Sequence, residues 1–176
     1  MHPSITLSTE DYDFAAVIGR KREDYRKDRG RSPAEYQDRG GTHYDRHVLG
    51  AVTEFALAKF LGDDVLEDWK ATKAYSDTPW LITCDVGKNL HVRATRYEAG
   101  SLVLTPDDTN TGVFVLARLD DRRKRVTFAG WCYGRDGKQD CLWCDDGVWS
   151  GKGRAAYLVG EDCLNDMSTI PPEAVR

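Results

Sequence analysis

"DRHVLGAVTEFALAKFLG", Asp45 to Gly62, is the stretch that sets the architecture. It reads as a helix from Asp45 to Leu61, with Gly62 as the residue just past its C-terminus. Apolar and small residues cover most of its circumference, so the pattern predicts the buried core helix of the protein. Glu54 interrupts that pattern. Its neighbours three and four positions away are Gly50, Ala51, Leu57 and Ala58. A carboxylate among them either has a cationic or metal partner, or sits at the boundary of the buried face and reaches water.

Upstream, "STEDYDFAAVIGRKREDYRKDR" (Ser8–Arg29) reads as a second helix. Ser8 suits the N-cap, Asp11 the capping-box position, and acids fill the first turn. Phe14, Val17 and Ile18 are its apolar stripe. Residues 30–45 carry Gly, Pro and a Gly-Gly pair and read as loop. Downstream the period changes to that of strands: Trp80–Val86, Leu90–Thr95, Ser101–Thr105, Val113–Leu119 and Arg125–Tyr133. A tail, Ala155–Met167, reads as a short strand and a helical turn. Turn-like linkers predict mostly antiparallel meander pairing. The expected fold is α+β: a mostly antiparallel or mixed sheet of about five strands with N-terminal helices packed on it. With 176 residues and 40% hydrophobic content, one domain over 1–176 is expected, with 1–44 as helical arm and loop and 45–167 as the core.

No span is long and apolar enough for a membrane, and the N-terminus lacks a signal-peptide pattern, so a cytoplasmic protein is expected. The 25 Lys and Arg against 29 Asp and Glu give a net charge of −4, which does not mark the whole chain as a nucleic-acid binder. The charge is segregated, however. From Arg20 to Arg46 basic residues outnumber acids nine to six, and "RRKR" spans Arg122–Arg125. Arg20, Lys21, Arg22, Lys88, Arg122, Arg123, Lys124 and Arg125 are therefore candidate phosphate contacts. A merely solvated charged face is the alternative. The acidic C-terminal third (Asp136, Asp140, Asp145, Asp146, Glu161, Asp162, Asp166) and "CLWCDDGVW" offer a surface for a protein partner, unless Trp143 and Trp149 simply cap the core.

The five cysteines, Cys84, Cys132, Cys141, Cys144 and Cys163, are an odd set and read as reduced thiols. "CLWC" has half the spacing of a zinc site. No second C-x-x-C completes it, so structural Zn²⁺ is not expected, with Cys132 and Cys163 the other thiols at hand.

The remaining signal is "TCDVGKNLHVRAT", Thr83–Thr95. Asp85 ends one strand before a Gly-containing turn, and His91, Arg93 and Thr95 alternate with Leu90, Val92 and Ala94 on the next. A tight hairpin would place Asp85 opposite His91, with Arg93 on the same side. Asp85 as a plain turn-opener and the strand's polar side as a solvated face are the alternatives.

A helix Glu followed by a hairpin with an acid and a polar pair two residues apart resembles the PD-(D/E)XK nuclease-like superfamily, with its restriction-endonuclease-like fold. "GAVTEFALAKFLG" matches its helix, "CDVG" supplies the Asp, and "HVR" stands where E-x-K is usual. "SLVLTPDD", "VFVLARL", "FAGWCYGRDGK" and "AAYLVGEDCLNDM" are similar to tailed-phage proteins of that superfamily. The resemblance spans residues 45–167. It implies metal-dependent hydrolysis of DNA phosphodiesters, Mg²⁺ or Mn²⁺ held by Glu54, Asp85 and His91, and Arg93 as an electrostatic clamp that keeps its proton. It also implies a phage protein acting in the host cytoplasm. His91 in place of a carboxylate and Arg93 in place of Lys leave a second expectation open: a nuclease scaffold without catalysis that binds nucleic acid or a host protein.

Overall fold

In the computed structural model, which describes residues 2–28, 43–74, 84–145 and 155–176, the core helix stands where the sequence places it. Helix α1 runs Thr9–Asp28, α2 His43–Leu61 and α3 Asp63–Trp69, and α3 passes into a π-helical turn, Lys70–Ala74. The Asp11 amide donates to Ser8 Oγ and starts α1 as expected. α2 stops where Gly62 adopts a φ of 122°, a conformation that only a residue without Cβ takes readily. α3 was not expected. Asp63 and Asp64 occupy its first turn, where the helix dipole favours acids, and Val65, Leu66 and Trp69 form its buried side.

α2 is buried at Ala51, Val52 and the whole run Phe55–Ala58. On α1, Ala15, Ala16 and Ile18 are buried, whereas Val17, expected in the apolar stripe, is 43% exposed. Small residues face α2 because the two helices pass closely. A Cβ built on Gly19 would lie 2.6 Å from the His47 carbonyl oxygen and the Val48 Cα.

The strands are β1 (Ser4–Thr6), β2 (Leu90–Thr95), β3 (Leu102–Leu104), β4 (Val113–Asp120), β5 (Arg125–Tyr133), β6 (Trp143–Cys144) and β7 (Ala156–Val159). They form two sheets instead of the single sheet expected, one in the order β1-β5-β4-β2 and the other β3-β7-β6. The antiparallel meander fails at one joint: β2 pairs with β4 in parallel, Leu90 opposite Val113. A parallel pair needs a long crossover. Residues 96–112 supply it, carrying β3 into the second sheet on the way. The expected strand Trp80–Val86 lies outside the described residues up to position 83. Of the rest, only Val86 bridges to Leu90.

β4 is apolar on both faces because both are covered. Val113, Val115, Ala117 and Leu119 join the helices in the larger core. Phe114 and Leu116 join Leu102, Leu104 and Val159 in a smaller one. The register between β4 and β5 shifts at Leu116/Ala117, so that Leu116 pairs with Gly130 and Ala117 with Phe128. This bulge leaves Ala129 unpaired and turns both Phe128 and Trp131 toward the helices.

Candidate functional site

The first acid sits where α2 faces α1. Glu54 is only 6% exposed. The Arg22 guanidinium donates to both of its oxygens at 2.7 Å, one bond from each terminal nitrogen, and Trp69 Nε1 donates to Oε2 at 3.3 Å. The cation demanded by a carboxylate on that helix face is therefore Arg22. Phe14, Ile18 and Arg22 recur every four residues, so Arg22 continues the inward side of α1. Two more ion pairs join the same helices, Asp11 with Lys59 and Glu23 with His47.

The second acid sits at a sheet edge. The Asp85 and Val86 amides donate to the Leu90 carbonyl, and Gly87 makes the turn with a φ of 57°. Among the described residues β2 has no strand on its outer side. There the Val92 amide donates instead to Asp85 Oδ2 at 2.8 Å. The carboxylate thus satisfies an amide on that side of β2.

The charge of the first acid reaches the second. Burial, followed by the negative charge of Glu54, pushes the Asp85 pKa up to about 6, against weaker downward pulls from the Val92 amide, Arg93 and Lys73. Lys73, in the π-helical turn, is the residue the sequence reading missed. It is 8% exposed, and its ammonium donates to the Cys84 carbonyl at 2.7 Å. Burial draws its pKa below the usual lysine value, while Glu54 and Asp85 pull it back and Arg22 pushes it lower. Leu66, Trp69 and Lys73 share one side of α3 and its continuation, so the signal was present once α3 is recognised. Trp69, Lys73, Asp85 and Gly87 border a cleft of about 30 Å³, room for roughly one water molecule.

His91 and Arg93 do not join that cluster as a row with Asp85. The His91 ring stacks on Phe114, centroids 4.8 Å apart, and the Arg93 guanidinium lies 5.0 Å from the same ring. Phe114 belongs to the smaller core, so this is the face away from the helices. Arg93 donates to Asp108 Oδ1 at 2.6 Å and to the Val103 carbonyl, which ties the crossover to β2. Burial, then the charge of Arg93, lowers the His91 pKa, so its ring is neutral at pH 7.

The candidate phosphate contacts fall on three elements. Arg20 and Lys21 are exposed on α1, and Lys88 is exposed in the turn before β2. Arg122, Arg123 and Arg125 are exposed around the β4–β5 turn. Arg125 is held by Ser4 Oγ, and Lys124 donates to Thr9 Oγ1 and lies over the Tyr12 ring. In the acidic third, Glu161 joins His2 and Arg118. Trp143 is 40% exposed with an edge contact to Tyr157, while Asp146 and Trp149 lie outside the described residues. None of the five cysteines forms a disulfide.

As the side chains stand, the donors do not fit a divalent ion. Glu54 spends both oxygens on Arg22, Asp85 spends one on Val92, and His91 faces another core. Among the described residues no group of three or more His, Cys, Asp and Glu side chains is arranged to hold a metal. No family model matches the chain, and neither the curated proteins nor the solved structures contain a match.

Proposed function

We propose that the chain is a nuclease-type protein, with a restriction-endonuclease-like core, that hydrolyses DNA phosphodiesters at the Glu54–Asp85–Lys73 cluster. One observation carries this reading: two acids 31 positions apart, Glu54 buried and Asp85 half-buried, lie within reach of each other's charge, beside a buried lysine and a water-sized cleft. Burying two acids together is costly, and perturbed groups of this kind collect at sites that move protons. Asp85, ionised above about pH 6, accepts a proton from the attacking water as its oxygen bonds to phosphorus. The Lys73 ammonium stabilises charge on the phosphoryl oxygens and protonates the leaving ester oxygen as its bond to phosphorus breaks. The products are a phosphomonoester and an alcohol. Arg93, still near enough to lower the Asp85 pKa, adds positive charge at the strand end.

The test is cleavage of supercoiled plasmid, linear duplex and single-stranded DNA, with Mg²⁺, with Mn²⁺ and with chelator. Asp85→Asn is the control because it keeps an acceptor for the Val92 amide. Wild-type cleavage that falls at least about 100-fold in the variant supports the reading. No wild-type cleavage under any of these conditions, or equal rates in both proteins, removes it.

A second reading has its own observation, the two-bond Arg22–Glu54 pair. On this reading the scaffold has lost catalysis and binds nucleic acid, or a host protein, as a phage accessory factor. Duplex binding at about 50 mM salt that weakens steeply as salt rises supports the nucleic-acid form. Undetectable binding at that salt, with capture of a specific protein from host lysate, supports the other.

A further inference from the structure

We infer that Cys141 and Cys144 form a redox-active dithiol on the second sheet, a site that a small cationic disulfide closes into a disulfide bridge. The pair has no part in the hydrolysis proposed above. The first support is exposure. Cys84 and Cys132 are buried, and burial raises the pKa of both thiols, that of Cys132 to about 12. The thiolate is the nucleophile in disulfide chemistry, so these two are inert near neutral pH. Cys163 is exposed, but the thiol within reach of its charge is the inert Cys132. Cys141 is exposed and Cys144 half-buried, and they stand three positions apart.

The second support is geometry. A 3-10 turn, Asp140–Leu142, closes as the Trp143 amide donates to the Asp140 carbonyl, and Trp143 itself is extended, with φ −68° and ψ 130°. A helical residue followed by an extended one is the order of a tight turn, which holds residues three apart within about 7 Å. Disulfides span Cα separations up to about 6.8 Å, so the bridge asks for only a small closure. The residues between the thiols anchor that turn: Leu142 packs against the smaller core and Trp143 against Tyr157. Cys144 is held in register with Ala156 of β7. The third support is charge. Asp140 and Asp145 are exposed on either side of the pair, and they repel an anionic disulfide and attract a cationic one. In the reaction the Cys141 thiolate attacks one sulfur of the disulfide RSSR. The new S–S bond forms, the old one breaks, and the released RS⁻ takes up the proton that Cys141 gave. The Cys144 thiolate then attacks Cys141 Sγ and expels the second RS⁻, which takes up the Cys144 proton. The two cysteines lose two electrons and two protons, and the disulfide gains them as two thiols.

The experiment treats the reduced full chain with cystamine at mildly alkaline pH, quenches with acid, alkylates the remaining thiols after unfolding and digests with trypsin. The peptide Gln139–Lys152 carries Cys141, Cys144 and no other cysteine. Mass spectrometry is expected to find it two hydrogens lighter and free of alkyl groups, and dithiothreitol to return it to the dithiol. Cys144→Ser is expected to stop with one cysteamine held on Cys141. Cys141→Ser is expected to consume cystamine at least about tenfold more slowly than wild type. A wild-type peptide alkylated at both cysteines overturns the inference, as does a lasting cysteamine adduct on it or a bridge from either cysteine to Cys163. Cys141→Ser reacting at the wild-type rate does the same. Oxidised glutathione, which is anionic, is run beside cystamine, each rate divided by that of the same reagent with mercaptoethanol. Slower closure by glutathione upholds the cationic preference, and equal or faster closure overturns it. Far-UV circular dichroism checks that the variants fold, and the wild-type peptide decides the outcome if either does not.

Discussion

At the scale of the residue, Asp85 makes stability depend on pH in an uncommon direction. Its folded pKa of about 6 lies above the unfolded value of 3.8, so the folded chain binds this proton more tightly. Its contribution is most favourable below about pH 4, falls as pH rises through 4 to 6, and stays low above that. The difference amounts to roughly 2–3 kcal/mol. Asp85→Asn imitates the protonated acid. It is expected to be the more stable protein at pH 8 and to match wild type near pH 4, as urea unfolding at several pH values will show. Identical slopes for the two proteins between pH 4 and 6 would mean that Asp85 holds its proton no more tightly in the folded chain than in the unfolded one. Glu54 makes the complementary case. Glu54→Gln leaves the Arg22 guanidinium without its carboxylate and is expected to cost about 3 kcal/mol, whereas Arg22→Met with Glu54→Leu is expected to recover most of that loss. A double-mutant cycle with coupling near zero would show the pair to be solvated and weak. Glu54 was legible as an anomaly in the sequence because four small or apolar neighbours surround it. Its partner was not, since the sequence does not say which of several nearby arginines turns inward.

At the scale of the element, α1 and α2 cross closely because Gly19 permits it. Two effects compete in Gly19→Ala. Alanine favours the helix by about 1 kcal/mol. Its Cβ, however, meets the His47–Val48 backbone at 2.6 Å, and backbone cannot step aside as a side-chain tip can. Overpacking of this kind costs about 1–3 kcal/mol. A net loss of roughly 1–2 kcal/mol, read as a lower Tm, is expected; a rise in Tm would show that the helices separate without cost. Long periodic elements were readable: α2, β2, β4 and β5 all stand within a few residues of their expected limits. Short ones were less so. β1 has three residues and depends on its pairing with β5, and α3 opens with two acids and a seven-residue run whose apolar side has meaning only against α2.

At the scale of the whole molecule, β4 and β5 serve two cores at once, and this bears on cooperativity. Phe114 and Leu116 lie in the smaller core, and their immediate neighbours Val113, Val115 and Ala117 lie in the larger. Leu116→Ala is expected to cost about 2–4 kcal/mol and to lower one common transition. Far-UV circular dichroism and the fluorescence of the tryptophans, Trp69 and Trp131 of the larger core among them, should move together. If the far-UV signal loses a separate early phase in this variant, the second sheet unfolds as a unit of its own.

The sequence by itself determined the elements and their faces: a core helix carrying one misplaced acid, a strand with alternating polar side chains, and a turn opened by Asp85. Periodicity and turn chemistry are local, and local rules suffice for these. Only the tertiary structure decided that β2 runs parallel to β4 and that β3 belongs to another sheet. It alone decided that Arg22 and not a neighbour grips Glu54, and that Lys73 arrives beside Asp85 while His91 turns away to Phe114. Those outcomes rest on which surfaces bury each other best, a competition between segments far apart in the chain that no window of adjacent residues contains.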